Sequence, residues 1–247
     1  MAVKLTDEDR AYLATYDMKR FPPTATTVDI VIFTIDELGR FCVLLIRRGA
    51  PPHRGYWALP GGFVRQHEDL DAAAARELEE ETGIVQEHKH LEQLATYGAP
   101  DRDPRGRVFS VAYLAFVPQL GRPHAGSDAK EARLWPVSEV LSGTPPLAFD
   151  HSRIVEDAVE RAKSKLEYTN LATKLLQEPF TMGDLRRVYE AVWGESLHPA
   201  NFRRKVLATP GFVVPTGEKA STGRGWTELY RAGSSAFLHP ALLRSKR

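Results

Sequence analysis

The sequence predicts an α+β protein in two parts: a strand-rich N-terminal unit and a C-terminal winged helix-turn-helix. Three observations carry this expectation. Apolar, β-branched runs separated by turn signals dominate residues 26–136, with one strongly helical, acidic stretch among them. After residue 150 the apolar spacing becomes helical, and it returns to two short strands only near the C-terminus. Charge changes sign between the halves: residues 1–150 carry 17 Lys/Arg against 22 Asp/Glu (−5), and residues 151–247 carry 16 against 10 (+6). Such an asymmetry points to a polyanionic partner for the basic end. The 247 residues make one large domain or two ordinary ones, and 43% apolar content is enough for real cores. Cys42 is the only cysteine and sits in the apolar run FCVLLI, so no disulfide forms within the chain. The N-terminus is charged and lacks a signal-peptide core, and no run approaches transmembrane length, so a cytoplasmic protein without membrane contact is expected.

The elements follow in order after an N-terminal arm, residues 1–25. TTVDIVIFTI (26–35) and RFCVLLIRR (40–48) are strands joined by the turn-like DELG, and read as a hairpin. WALPGGFV is a short strand, a turn and a second strand leading into the acidic helix. LEQLATYGA (91–99) and VFSVAYLAFV (108–117) are strands around the polar PDRDPRGR, and ARLWPVSEVL adds a strand and a short helix. This unit is expected to span residues 26–147. A connecting helix, 148–166, follows, with Asp150 as N-cap and Ile154, Ala158, Val159 and Ala162 at helical spacing. It serves either as a dimer contact or as a helix packed on its own sheet.

Residues 167–247 form the second unit. NLATKLLQ is a short helix, and TMGDLRRVYEAVWG is a helix capped by Thr181. HPANFRRKVLAT is a third helix, opened by Pro199, that buries Phe202 and Val206. FVVPT and TELYRAG are strands flanking the basic loop GEKASTGRG. In a helix-turn-helix the second helix of the motif enters the major groove. Asn201, Arg203, Arg204 and Lys205 are therefore the DNA-facing candidates, joined by Lys219 and Arg224 on the wing. The alternative for such a module is protein docking, which the basic helix and wing disfavour.

The chemistry concentrates in residues 62–84, GFVRQHEDLDAAAARELEEETGI. Asp69 is placed to start a helix and Gly83 to end it. Glu77, Glu80 and Glu81 then share one face, and Arg76 reaches Glu80 one turn on. Carboxylates gathered on one face repel unless a cation neutralises them, and hard oxygen ligands suit Mg²⁺ or Mn²⁺. Gly61 and Gly62 let the backbone turn sharply beside them. Arg47 and Arg48 end a strand nearby, where diphosphate ligands and ordinary surface arginines are equally good readings. Trp57 is either a stacking platform for a base or a core residue. The charged loop with Arg102, Asp103, Arg105 and Arg107 is ligand-facing or simply solvated, and His88 and His90 are read as solvated.

Gly62, Glu68, Arg76, Glu77, Leu78, Glu80, Glu81, Gly83 and Ile84 fill every fixed place of the Nudix box, and this part of the chain resembles a Nudix hydrolase. With RGAPPHRGYWALPGGFV, RDPRGRVFSVAY, PPLAFDHSRIVEDAVERAKSKLEYT and NFRRKVLATPGFVVPTGEK, the chain resembles the Nudix-related transcriptional regulators of NAD metabolism (NrtR) from about Thr26 to Arg231. The resemblance implies an α/β/α Nudix sandwich with a mixed sheet, followed by the winged helix. It implies a homodimeric repressor of NAD-biosynthesis genes on a palindromic operator, released by ADP-ribose or a related nucleotide. It also implies metal ligands at Glu77 and Glu81, with Glu80 a further ligand or the partner of Arg76 and Glu68 in the outer shell or on a metal. Glu80 and Glu81 would be the catalytic pair in an active enzyme. Arg47, Arg48, Trp57, Gly61, Gly62, Arg105 and Arg107 are the expected ligand contacts. Many members have lost hydrolysis, whereas this box is intact. The competing reading is therefore a Mg²⁺-dependent pyrophosphatase acting on ADP-ribose or nucleoside-diphosphate sugars.

Overall fold

The computed structural model describes residues 4–82, 90–118, 120, 129–221, 223 and 225–244, with residues 81, 82, 129 and 130 described by backbone alone. An exposed arm comes first. Its helix α1 (Asp7–Thr15) is closed by a Thr6–Asp9 capping box but buries no side chain. Strands β1 (Ala25–Ile35), β2 (Phe41–Arg48), β3 (Trp57–Ala58), β4 (Gly61–Phe63), β5 (His90–Tyr97), β6 (Val108–Phe116) and β7 (Ala129–Pro136) form one sheet. The sheet is mixed: β1 runs parallel to β6 and antiparallel to β2 and β4, while β7 pairs antiparallel with β2.

Residues 27–34 of β1 are all buried. A strand with both faces covered has no polar side to alternate, which is why TTVDIVIFTI reads as a nearly continuous apolar run. One face packs on helix α2 (Leu70–Thr82): Val28, Ile30, Ile32 and Leu44 meet Ala73, Ala74 and Leu78. The other face carries Val31, Phe33, Val43 and Leu45, against the short α3 (Val137–Leu141) and the long α4 (His151–Tyr168). The result is an α/β/α sandwich. Helix α4 buries Ile154, Val155, Ala158, Val159, Ala162 and Leu166, so its apolar stripe is spent inside its own chain.

A 3₁₀ turn (Asn170–Leu175) replaces the short helix expected there. Then come β8 (Phe180–Thr181), α5 (Met182–Trp193), α6 (Pro199–Leu207), β9 (Val213–Ser221) and β10 (Trp226–Ala232). Strands β8, β10 and β9 make the second sheet, so this is a winged helix. Strand β9 extends through Gly217 to Ser221, with a register shift opposite Glu228 and Tyr230, so most of the expected Gly-rich loop is strand. Helix α5 starts in a Thr181–Asp184 capping box and ends at Gly194 in the left-handed conformation. Leu166, Leu171, Leu185, Tyr189 and Trp193 continue the core of the first unit into the second. Tyr189 donates to the Leu166 carbonyl at 3.0 Å, and the Trp193 indole donates to the Lys163 carbonyl at 3.1 Å. No helix among the described residues is long and apolar enough to cross a membrane.

Candidate functional site

A pocket of about 670 Å³ opens where β1, β4, the second half of α2, the loop after β5 and the start of α4 converge. Helix α2 begins as its sequence predicts: the Asp69 carboxylate accepts from the Ala72 N–H at 2.8 Å. That start places Arg76 and Glu77 on the pocket side. Arg76 holds Glu68 through two hydrogen bonds (2.7 and 3.0 Å) and Glu77 through one of 2.6 Å, and it reaches Glu80 at 3.4 Å. Glu68 and Glu77, rather than Glu80, are thus its main partners. The hydrogen bond from Arg76 draws the Glu68 carboxyl down to about 2. Burial moves Glu77 the other way, to above the usual carboxylate range, with Arg76 opposing. Glu80 is exposed, 3.5 Å from Arg65. The Glu81 side chain and Gly83 lie outside the described residues. Among the described residues no group of three His, Cys, Asp or Glu side chains is assembled to hold a metal.

The Gly61–Gly62 pair has a steric explanation. A Cβ on Gly61 would stand 2.2 Å from the Val28 carbonyl oxygen, and one on Gly62 would stand 2.4 Å from a Glu77 carboxylate oxygen. Gly62 therefore leaves the space in which the Glu77 carboxylate sits.

The opposite wall is basic and aromatic. Arg48 lies over the Phe149 ring at 4.9 Å, and Arg105 lies between Phe63 (5.0 Å) and Phe149 (5.8 Å). Asp103 fixes Arg105 through two short contacts (2.7 and 3.0 Å). Phe149 holds φ +55, a left-handed conformation uncommon for a bulky residue. Behind this wall lies a buried polar network. Arg102 grips Asp150 bidentately (2.7 and 3.0 Å) and stands 3.7 Å from Asp29, which also accepts from Ser110. The Leu59 N–H donates to His151 Nδ1 at 2.9 Å, and burial lowers the His151 pKa, so the ring is neutral.

Gly61, Gly62, Arg48 and Arg105 line this pocket with Glu77 and Glu80. Arg47, Trp57 and Arg107 do not, and strand geometry explains it. Successive side chains alternate faces, so only one of Arg47 and Arg48 can face the pocket. Arg47 instead donates to the Gly55 carbonyl at 3.2 Å. Trp57 packs edge-on against Trp135 at 5.3 Å, and Arg107 donates to the Gly98 carbonyl at 2.6 Å beneath Phe109. Asp150 is the N-cap residue of α4, as expected, but its side chain makes no capping hydrogen bond, because its carboxylate is spent on Arg102. His90 is half-buried, 2.9 Å from Glu92, rather than solvated, and His88 lies outside the described residues. Sequence reasoning missed Asp29, Phe149 and His151. Only Asp29, a lone acid inside an apolar strand, carried a readable signal.

The second candidate site is the face of α6. Phe202 and Val206 are buried, which leaves Asn201, Arg203, Arg204 and Lys205 exposed. Arg203 approaches Glu228 of β10 at 4.0 Å. Lys219 is exposed on β9, and Arg224 lies outside the described residues.

The NUDIX domain family matches residues 24–158, and the NrtR DNA-binding winged helix domain matches residues 172–232. The ADPR responsive transcriptional repressor NtrR of Acinetobacter baylyi is 35% identical over 225 residues, 90% of this chain and 88% of that protein. The solved structure of Shewanella oneidensis NrtR complexed with a 27mer DNA is 33% identical, with a TM-score of 0.74 over 90% of this chain and 99% of that one. The NUDIX domain of the same Shewanella protein, complexed with ADP ribose, is 37% identical, with a TM-score of 0.55 over 64% of this chain and 99% of that one. Two family matches in this order, and a full-length relative at this identity, leave one assignment: the chain belongs to the NrtR family, a Nudix domain joined to a C-terminal winged helix.

Proposed function

We propose that this chain is a DNA-binding transcriptional repressor of NAD-biosynthesis genes, released from its operator when ADP-ribose or a related NAD-derived nucleotide occupies the Nudix pocket. The observation that carries the reading is the exposed Asn201, Arg203, Arg204 and Lys205 face on α6, in a chain that matches an ADPR-responsive repressor along most of its length. The pocket suits the effector chemically. Arg48 and Arg105 bring positive charge to the pocket for a diphosphate, backed by the rings of Phe149 and Phe63. The functional units we assign are the arm (1–25), the sensing domain (26–147), the connecting helix (148–166) and the DNA-binding domain (167–247). We assign operator contact to Asn201, Arg203, Arg204, Lys205, Lys219 and Arg224. The protein acts as a homodimer on a palindromic site, because two half-sites match a two-fold protein.

Release requires that the ligand bind the DNA-free dimer more tightly than the DNA-bound one. Helix α4 connects the two sites: its first residue, His151, lines the pocket, and its C-terminal end receives the Tyr189 and Trp193 hydrogen bonds from α5 at Leu166 and Lys163. The test is a gel shift with duplexes tiled across the DNA around the chain's own gene, with and without ADP-ribose. One duplex is expected to be retained and then released by ADP-ribose. Retention of none, or retention indifferent to ADP-ribose, refutes the proposal.

A second reading rests on the intact box. The donor set suits a hard cation: Glu77 is buried beside the gap left by Gly62, and Glu80 stands on the same helix. Glu77, Glu80 and Glu81 would hold Mg²⁺ or Mn²⁺, with Glu68 kept in place by Arg76. Such an ion, when bound, neutralises a diphosphate and lowers the pKa of its water. Slow conversion of ADP-ribose to AMP and ribose 5-phosphate is compatible with sensing. Rapid conversion, lost in Glu81→Gln, would make the chain chiefly a pyrophosphatase.

A further inference from the structure

Trp226, the first residue of β10, is 74% exposed. Along a strand, alternate residues share a face, so Trp226 and Glu228 lie in one row, which the Tyr230–Glu228 hydrogen bond continues across the register shift between those two residues. The row begins in the core, where the buried Tyr230 hydroxyl donates to Glu228 Oε2 at 2.7 Å. It passes α6, where the same Glu228 oxygen is 4.0 Å from Arg203 Nη2. It ends at the indole of Trp226. The register sets Glu228 opposite Lys219 and Trp226 opposite Ser221, so Lys219 shares that face. The largest exposed apolar side chain of the wing therefore stands on the face that meets α6, in line with Arg203 and Lys219.

A single exposed apolar residue has no special meaning by itself. Here the indole stands one step along the row from Glu228, which Lys219 opposes and Arg203 approaches, on a domain that also presents Arg204 and Lys205 to solvent. Cations near an apolar ring match a nucleic-acid duplex, in which phosphates flank the apolar faces of sugars and bases. Glu228 has a distinct part. It is an acid on a basic face, tied to Tyr230 and reaching Arg203, which also interacts with the Tyr230 hydroxyl, so Glu228 and Tyr230 together orient this guanidinium.

We infer that Trp226 is a direct DNA contact, packing its indole against sugars and base edges beside the groove that α6 enters, and that Glu228 is the positioning residue for Arg203. The inference rests on the DNA-binding reading above, and the test separates the two. The probe is the duplex retained most tightly in the tiled gel shift. Trp226→Ala is expected to weaken its binding about tenfold, the scale of one lost aromatic–nucleic-acid contact. ADP-ribose affinity is expected to stay unchanged. Duplex is expected to quench the tryptophan emission of the wild-type protein, and Trp226→Phe to abolish that quenching. Glu228→Gln is expected to reduce discrimination between the matched duplex and one mutated in the α6 half-site, more than it reduces overall affinity. Wild-type affinity and unaltered quenching in the Trp226 variants, while Arg203→Ala/Arg204→Ala loses binding, would overturn the inference and leave the repressor reading intact. Loss of self-association in Trp226→Ala with unchanged DNA affinity would overturn it too, assigning this face to a contact between copies. Failure of the wild-type protein to bind any duplex would instead remove the repressor reading.

Discussion

The two ends of this molecule use arginine in opposite ways. At the pocket, Arg102 is buried and saturated by Asp150, Arg76 is shared among three glutamates, and Arg105 is fixed by Asp103. On α6, Arg204 and Lys205 are exposed, and half-exposed Arg203 is held more loosely, by Glu228 at 4.0 Å and the Tyr230 hydroxyl. A buried guanidinium must be paired, because desolvation is repaid only by good geometry. An exposed one keeps its donors available for an incoming phosphate or base edge. The same residue type thus builds a rigid wall in one domain and a reading surface in the other. Substituting it should cost stability in the first and binding in the second.

The largest effect is expected from Arg102→Ala. It leaves the Asp150 carboxylate at the start of α4 without its bidentate partner and removes a charge 3.7 Å from Asp29. Breaking a buried pair by removing one member costs about 3–5 kcal/mol. In a chain of this size that corresponds to a fall in Tm of roughly 10 °C. Differential scanning calorimetry reads it directly. A melting temperature within a degree of wild type would mean that the network is not a structural unit.

Arg203→Ala/Arg204→Ala is the matching experiment on the other domain. Both side chains are exposed, so the melting temperature should barely move. Operator affinity is expected to fall by at least about a hundredfold, given the 1–3 kcal/mol carried by each good base contact. In the wild type, affinity should also fall steeply with salt, and the slope should flatten in the double variant as phosphate contacts are lost. A double variant that unfolds, or that still binds tightly, would break the contrast between the two regions.

The contrast also explains what the sequence reveals. The α6 face was legible because it depends on one period within one helix: Phe202 and Val206 go inward, and the residues between them go outward. The acidic helix was legible for the same reason, and the Asp69 cap emerged where expected, whereas Gly61 and Gly62 lie in β4 and are needed for close approach rather than for a turn. The pocket's opposite wall was not. Arg102 and Asp150 are 48 residues apart, and Asp29 and Ser110 are 81 apart, so the sheet rather than any local pattern unites them. Nor can composition say which of two adjacent arginines faces a pocket. The phase of β2 decided for Arg48 over Arg47. Nor does any local pattern show that Trp57 packs on Trp135 of β7 instead of lining this pocket.

The smallest effect, and the finest test of the pocket's electrostatics, concerns pH. Arg76 has two close carboxylate partners whose pKa values move in opposite directions. Its hydrogen bonds hold Glu68 at about 2, below the ordinary glutamate value. Glu68 therefore adds stability that is fully present above the ordinary value and is lost as pH falls from roughly 5 towards 2. Burial raises Glu77, so its contribution has the opposite sign: present below the ordinary value, and lost as pH rises through the raised one. Thermal melts at several values between pH 3 and 7, without divalent metal, separate the two. Glu68→Gln should flatten the acid fall in Tm relative to wild type. Glu77→Gln should steepen it, because the opposing slope is gone. Arg204→Ala should leave the profile parallel to wild type, since that side chain is exposed on α6 and is no partner of Arg76. Identical acid limbs in Glu68→Gln and wild type would show that the Arg76–Glu68 pair is as solvent-screened as a surface ion pair. The sharp division between paired and presented arginines would then hold for Arg102 and Arg105 but not for Arg76.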